Sequence, residues 1–300
     1  MQLKQWCVVI VIFAALVAAL PSVAAAKRPW NSGKGSLREH VVLDMKLWWL
    51  LRLEGIEDAD YLKASAEQIE LGNLLFYDKI LSGNEDISCA TCHHALMATG
   101  DGLSLSTGVG GHGLATARAM GAGRGRVPRN APEIFNRGHE FFTSMFWDSR
   151  VARDEDDPTG FAQPAGSDLP LGFEHPLEVQ AMFPLTSPDE MRGNPGENEI
   201  ANAGSNPEIW DGLEARVMAI PEYQTLIAAA FPGVAADDIG CEHIARAIAA
   251  FEADAWRSDD SPFDRYLRGN RDAMSASAKR GALLFYGRAG CGDCHSGVFQ

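Results

Sequence analysis

Cysteine and histidine are scarce in this chain, 6 and 8 among 300 residues. A C-x-x-C-H pattern therefore arises by chance with a probability of only roughly a few in a thousand. Basic charge is short as well. Lys and Arg number 26 against 40 Asp and Glu, a net charge of −14, which argues against a nucleic-acid partner. An acidic surface suits either a donor protein with a basic docking face or plain solubility. Strand-like alternation of apolar and polar residues is nearly absent, and the chain reads as helices joined by long loops. The apolar run from Cys7 to Leu20 falls short of the roughly 20 residues that cross a bilayer.

That run instead reads as part of a leader. It follows a short segment with one Lys and precedes Ala24-Ala25-Ala26, an A-x-A cleavage signal. Residues 1–26 are expected to be a Sec signal peptide cleaved near Ala26, with export to the periplasm. Cleavage removes Lys4 and no acid, leaving 25 basic against 40 acidic residues, a net of −15 and no membrane span. Cys7 is expected to be an apolar filler of the leader and Cys241 a buried small hydrophobe.

The scarce residues are concentrated. Cys89-Ala-Thr-Cys92-His93 and Cys291-Gly-Asp-Cys294-His295 are two copies of C-x-x-C-H, the pattern that attaches c-type haem. Two thiols one helical turn apart can bond the haem vinyl groups while the adjacent imidazole reaches the iron. Zinc ribbons and thioredoxin-type dithiols also use C-x-x-C, but they want nearby partner ligands or a βαβ frame, and neither surrounds these cysteines. Periplasmic export and haem attachment support each other.

A repeat precedes each motif: Gly72-Asn-Leu-Leu-Phe-Tyr77 and Gly281-Ala-Leu-Leu-Phe-Tyr286. Ser65 and Ser275 open the two amphipathic helices, and Ser88 is placed to N-cap the first haem-binding turn. Further helices are expected over 37–53, 206–219 with Asn206 as cap, 222–231 and 237–256. The fold expected is all-α, two tandem cytochrome c-like domains with long loops, the haems near the domain interface. The boundaries expected are 27–200 for the N-terminal domain and 201–300 for the C-terminal domain. The break should fall in the polar stretch 192–206.

Between the motifs stand Gly110-Gly-His112-Gly, Pro128-Arg-Asn130-Ala-Pro132, Phe146-Trp147-Asp-Ser149-Arg150 and Phe183-Pro-Leu-Thr-Ser-Pro-Asp-Glu190-Met191. With these motifs the chain resembles the bacterial di-haem cytochrome c peroxidases and the related MauG-type enzymes, from about Gln68 to Gln300. The resemblance implies His93 and His295 as proximal iron ligands of two covalent haems, the first peroxidatic and the second electron-transferring, and a second domain that is incomplete at its C-terminus. It implies His112 as a displaceable distal ligand of the first iron, Trp147 as an electron relay between the haems, Glu190 as the distal-pocket acid and Phe146 as its aromatic neighbour. Asn130 would be a ligand of a calcium ion. The substrate would be hydrogen peroxide, the electron donor a small periplasmic cytochrome c or cupredoxin, and homodimers are common in the family.

On the residues alone, Glu190 reads either as an acid–base for O–O cleavage or as a first-turn Glu stabilised by a helix dipole. Trp147 reads as a relay or a core aromatic. His112, flanked by glycines, fits a moving ligand better than a core imidazole. Ser149 stands where the family pattern has Gly, at a position expected to need positive φ. His40, His139, His175 and His243 are expected at the surface or in caps. The rivals are a MauG-type enzyme oxidising a protein side chain, distinguished by Tyr rather than Met as the second haem's distal ligand, and a non-catalytic electron carrier with both irons six-coordinate.

Overall fold

The computed structural model describes residues 36–51, 55, 57–297 and 299. The expected leader and Cys7 lie outside them. No helix among the described residues is long and apolar enough to cross a membrane.

Helix α1 runs Leu37–Leu50, capped by the Ser36 hydroxyl. Helix α2, Ala66–Tyr77, begins at Ser65, which accepts from the Gln68 amide in a capping box. The first haem motif forms the short helix α3, Cys89–Cys92. Its N-cap is Ser88, whose own N–H donates to Thr91 Oγ1 at 3.0 Å. A small antiparallel sheet follows, β1 (Ser144–Met145), β2 (Val151–Arg153) and β3 (Phe161–Ala162), in that order. The sheet corrects the all-α expectation: the fold is mostly helical, and strands of two or three residues are too short to show a period of two.

Helices α4 (Pro176–Gln180), α5 (Asn206–Met218), α6 (Pro221–Ala230) and α7 (Cys241–Ala255) complete the larger unit. Ser205 rather than Asn206 caps α5, accepting from the Glu208 amide, because Pro207 already occupies the first turn. The expected helix over 237–256 begins later, at Cys241, after a separate 3-10 turn at Ala236–Asp238. Helices α8 (Pro262–Leu267) and α9 (Ala276–Leu283) follow, the latter capped by Ser275.

Two compact units emerge, and the boundary differs from the one expected near residue 200. One joins α1 to the segment from Arg265 onward; the other spans Gly55–Asp264. Helices α5 to α7 belong with the first haem motif because the apolar face of α7 packs along α2, and α6 packs on α2 as well. Leu71, Leu75 and Phe76 of α2 are fully buried, each side chain contributing roughly 1.5–3 kcal/mol. Phe76 meets Phe251 and Trp256 with tilted rings, centroids 5.3 and 4.9 Å away, and Phe251 meets Trp256 edge to face at 5.0 Å. Within the smaller unit, Lys279 is buried and its ammonium lies 2.6 Å from the Asp44 carboxylate, which also accepts from the Tyr266 hydroxyl.

At the α2–α7 crossing, a Cβ on Gly72 would sit 1.8 Å from the Ala247 carbonyl oxygen. Gly72→Ala is expected to lower stability by about 3 kcal/mol, the upper end for overpacking. Gly281 holds the same place in the repeat, yet a Cβ there meets nothing within 4 Å. Gly281→Ala should be neutral or stabilise by up to about 1 kcal/mol through helix propensity. Urea midpoints at constant slope check the contrast; equal effects would mean that the crossing is loose.

Three histidines expected at the surface or in caps do cap, but from buried positions: His139, His175 and His243 are each under one-tenth exposed. His175 Nδ1 accepts from Leu177 N at the start of α4, and His139 Nδ1 from Phe141 N. Burial lowers the His175 imidazole to about 4. Cys241 is buried, as expected, and burial raises its thiol above the ordinary range.

Candidate active site

The first haem motif opens onto a cavity of about 670 Å³ within the larger unit. Cys89, Cys92 and His93 line it from α3, and Phe146, Trp147 and Arg150 from the β1–β2 turn. Glu190 and Met191 line it from the turn Pro188–Arg192. The sequence thus brings its Cys, Phe, Trp and Glu candidates to one hollow.

Each group is held for a reason. The His93 main chain closes the short helix, its N–H donating to the Cys89 carbonyl at 2.9 Å. His93 Nδ1 lies 3.0 Å from the Thr99 carbonyl. That contact makes Nδ1 the protonated nitrogen and leaves Nε2 with its lone pair for a metal. Burial lowers the His93 imidazole below its ordinary range, which keeps it neutral, as ligation requires. Burial also pushes the Cys89 and Cys92 thiols up to about 12. Both are neutral, free and aimed into the hollow.

Glu190 is half-buried in this wall. Burial raises its carboxyl above the usual range; a Ser187 hydrogen bond and the Arg150 charge pull it partly back, and Asp189 pushes it up again. Arg150 lies over the Phe146 ring at 3.4 Å from its centroid and also bonds Asp148 at 3.1 Å. Ser149 has φ +55, so the turn after Trp147 does demand the left-handed region that the family pattern fills with Gly. Trp147 is 61 % exposed, and its Nε1 donates to the Asn130 carbonyl at 2.8 Å. It is therefore no core aromatic.

Two candidates stand apart. His112 is exposed and is not among the residues lining the cavity. It sits on a loop where His112 and Ala119 exchange main-chain hydrogen bonds of 2.9 and 2.8 Å. Arg118 staples this loop by donating to the carbonyls of Thr107, Gly108 and Gly113. Gly113, next to His112, has φ +89, a conformation that glycine adopts freely. Asn130 lines the cavity but spends its amide on the Leu103 carbonyl at 2.6 Å. No group of three His, Cys, Asp or Glu among the described residues could hold a metal ion.

The residues fit a covalently attached haem. The cavity has two thiols, one imidazole, and apolar walls from Ile87, Val127, Met145, Leu177, Phe183 and Leu185. It also contains buried polar atoms left without partners, Ser106 Oγ and Glu252 Oε2. Sequence reasoning missed Glu252. Its signal was present: it stands one turn beyond Ile248, an acid at a position of the apolar face of α7. In the smaller unit the second motif forms a 3-10 turn, Cys291–Asp293, and both of its cysteines are exposed. His295 N–H donates to the Cys291 carbonyl at 2.9 Å, as in the first motif, and the His295 ring lies 6.2 Å from Phe285.

Comparison with known proteins agrees with this chemistry. A family model described as di-haem cytochrome c peroxidase matches residues 66–272. The chain is 32% identical over 230 residues to the methylamine utilization protein MauG of Methylorubrum extorquens, covering 77% of this chain and 49% of that protein. It is likewise 32% identical over 234 residues to the cytochrome c551 peroxidase of Pseudomonas aeruginosa, covering 78% and 51%. The chain thus spans about half the length of these curated relatives. Among solved structures, a MauG-like protein associated with microbial copper homeostasis superposes with a TM-score of 0.52 at 28% identity, over 83% of this chain and 57% of that one.

Proposed function

Because the chain belongs to the di-haem cytochrome c peroxidase family, we propose that it takes part in reducing hydrogen peroxide to water in the periplasm, with electrons from a small redox protein. One observation carries the reading: Glu190, with its carboxyl raised by burial, shares a cavity with the Cys89-x-x-Cys92-His93 motif.

Cys89 and Cys92 would hold the first haem by thioether bonds and His93 by its iron; Cys291, Cys294 and His295 would hold the second. Bound there, the haem supplies an iron at which peroxide is reduced. The protein supplies the proton path. Consuming one peroxide takes two electrons and two protons and yields two waters. The Glu190 carboxylate would accept a proton from one peroxide oxygen and return it to the other, so that water rather than hydroxide departs. A raised pKa suits both halves of that transfer. Phe146, Phe183, Leu185 and Met191 keep the pocket dry, which strengthens the effect of one carboxyl.

His112 is the proposed gate: its imidazole would hold the first haem's iron in the resting protein and would leave it before peroxide enters. Swinging between the iron and its exposed position would use the freedom of the backbone at Gly113. Trp147, at the cavity wall, is the proposed relay between the haems. Calcium bound through Asn130 belongs to the same proposal and rests on the family resemblance. With no group of three His, Cys, Asp or Glu among the described residues placed to hold a metal, it would take amide, main-chain and water oxygens.

His112→Gly is expected to make the fully oxidised protein react with peroxide without prior reduction, visible in rapid-mixing spectra of the haem-loaded variant. Spectra identical to those of the unaltered protein would make His112 a loop residue and remove the gate.

A MauG-type reading, in which the same site oxidises a protein side chain, is favoured by the equal identity to the Methylorubrum protein. Slow steady-state peroxide consumption with a reduced artificial donor would select it over the peroxidase.

A further inference from the structure

The buried face of α7 presents Ile244, Ile248 and Phe251 and, one turn beyond Ile248, the carboxyl of Glu252, 5 % exposed. A buried carboxyl costs desolvation free energy that a leucine would not. Nothing in the protein offsets it at Oε2, which has no hydrogen-bond partner. The side chain lines the cavity with Cys89 and Ile248. Its charge, added to burial, helps raise the Cys89 thiol.

We propose that Glu252 is a tuning residue of the first haem site: its carboxyl faces the cavity beside Cys89 and sets how readily the haem bound there takes an electron. The inference rests on the haem reading of the Cys89 motif and is independent of what the iron then does with peroxide.

The physics follows from the low dielectric of the cavity. An ionised carboxylate beside the haem favours its oxidised, more positive form; a neutral acid does not. Burial alone pushes the Glu252 carboxyl up to about 8. The acids on the elements packed against α7, Glu67 and Glu70 of α2, Glu178 of α4 and Asp211 and Glu214 of α5, add nothing to that shift. Neither do His93, Glu190, Arg129, Arg137 and Arg150 in the cavity wall. Glu178 faces Arg246 instead, at 3.6 Å. Between the carboxyl's pKa beside the oxidised haem and its higher pKa beside the reduced one, reduction takes up a proton: one electron enters from the donor, one proton passes from solvent to the Glu252 carboxylate, and the net charge of the site is unchanged; above both, the carboxylate stays ionised and reduction is again independent of pH. Below both, the acid already holds its proton and reduction is independent of pH.

The test is a potentiometric titration of both haems in the haem-loaded full chain, on both sides of about pH 8, for the unaltered protein, Glu252→Gln and Glu252→Leu. In the unaltered protein the first haem's midpoint should be level on the acid side, fall on the alkaline side and level again above both pKa values. Both variants should hold a level midpoint throughout, and the second haem should titrate alike in all three. A carbonyl infrared band of a protonated acid, seen on the acid side, should be lost in Glu252→Gln. First-haem midpoints that track one another at every pH, or a band that survives, would overturn the inference. Diverging midpoints in a protein that consumes no peroxide would sink the peroxidase reading and leave Glu252 standing; peroxide turnover with parallel midpoints would do the reverse.

Discussion

Cys89→Ala/Cys92→Ala is expected to remove one of two covalent haems, read as the loss of one haem mass from the intact protein after periplasmic expression with haem-maturation machinery. Both thiols line the same cavity and are free and neutral, raised to about 12 by burial. Without them, His93 is the motif's remaining bond to the group. Cys291 and Cys294 lie in the other compact unit, so the second attachment should survive. The apolar walls around Leu177 and Phe183 remain in place, and haem added in solution should at most rebind loosely. Unaltered protein with no covalent haem would remove the basis of every functional statement above, and a variant keeping both haems would place the first attachment elsewhere.

Glu190→Gln should lower peroxide turnover by about 10² or more, the usual scale for a positioned acid–base. The amide keeps the shape and hydrogen bonding of the carboxyl but cannot titrate. Because transfer begins with the ionised form accepting a proton, turnover should rise as pH climbs through the Glu190 pKa. Burial places that limb above the ordinary carboxylate range. The limb should vanish in the variant, while haem content and His112 ligation persist. If Glu190 were only a first-turn acid, the cost would be roughly 0.3–1 kcal/mol of stability with near-normal turnover. Steady-state assays of the haem-replete variant decide; activity within a few-fold of the unaltered protein would move the acid–base role to another residue.

The helix starts at Ser65 and Ser275 were legible because capping is local: a hydroxyl satisfies an amide three residues ahead; the turn at Ser88 was legible too, although there the Ser88 N–H donates to Thr91 Oγ1 and its hydroxyl caps no amide. The left-handed backbone at Ser149 was legible only through the family resemblance, whose pattern has Gly there; Ser by itself gives no such signal. The seam between α2 and α7 was not legible. Nothing in the repeat separates Gly72, pressed against Ala247, from Gly281, which faces open space. The grouping of contacts was not legible either: polar composition at 192–206 marked a loop, but long-range packing of α7 on α2 places both of its sides in one compact unit.

The sequence by itself determined the chemistry available, two thiol–thiol–imidazole motifs and a set of acids and aromatics between them, because covalent spacing within five residues needs no fold to be read. Tertiary structure alone decided which of those groups share a cavity. It put Glu190, Phe146 and Trp147 with the first motif, left His112 outside on a stapled loop, and added Glu252 from a helix more than 150 residues along the chain from Cys89. Proximity across that separation is set by which apolar faces bury against one another, and burial is also what shifts the Glu190 and Glu252 carboxyls from their ordinary range.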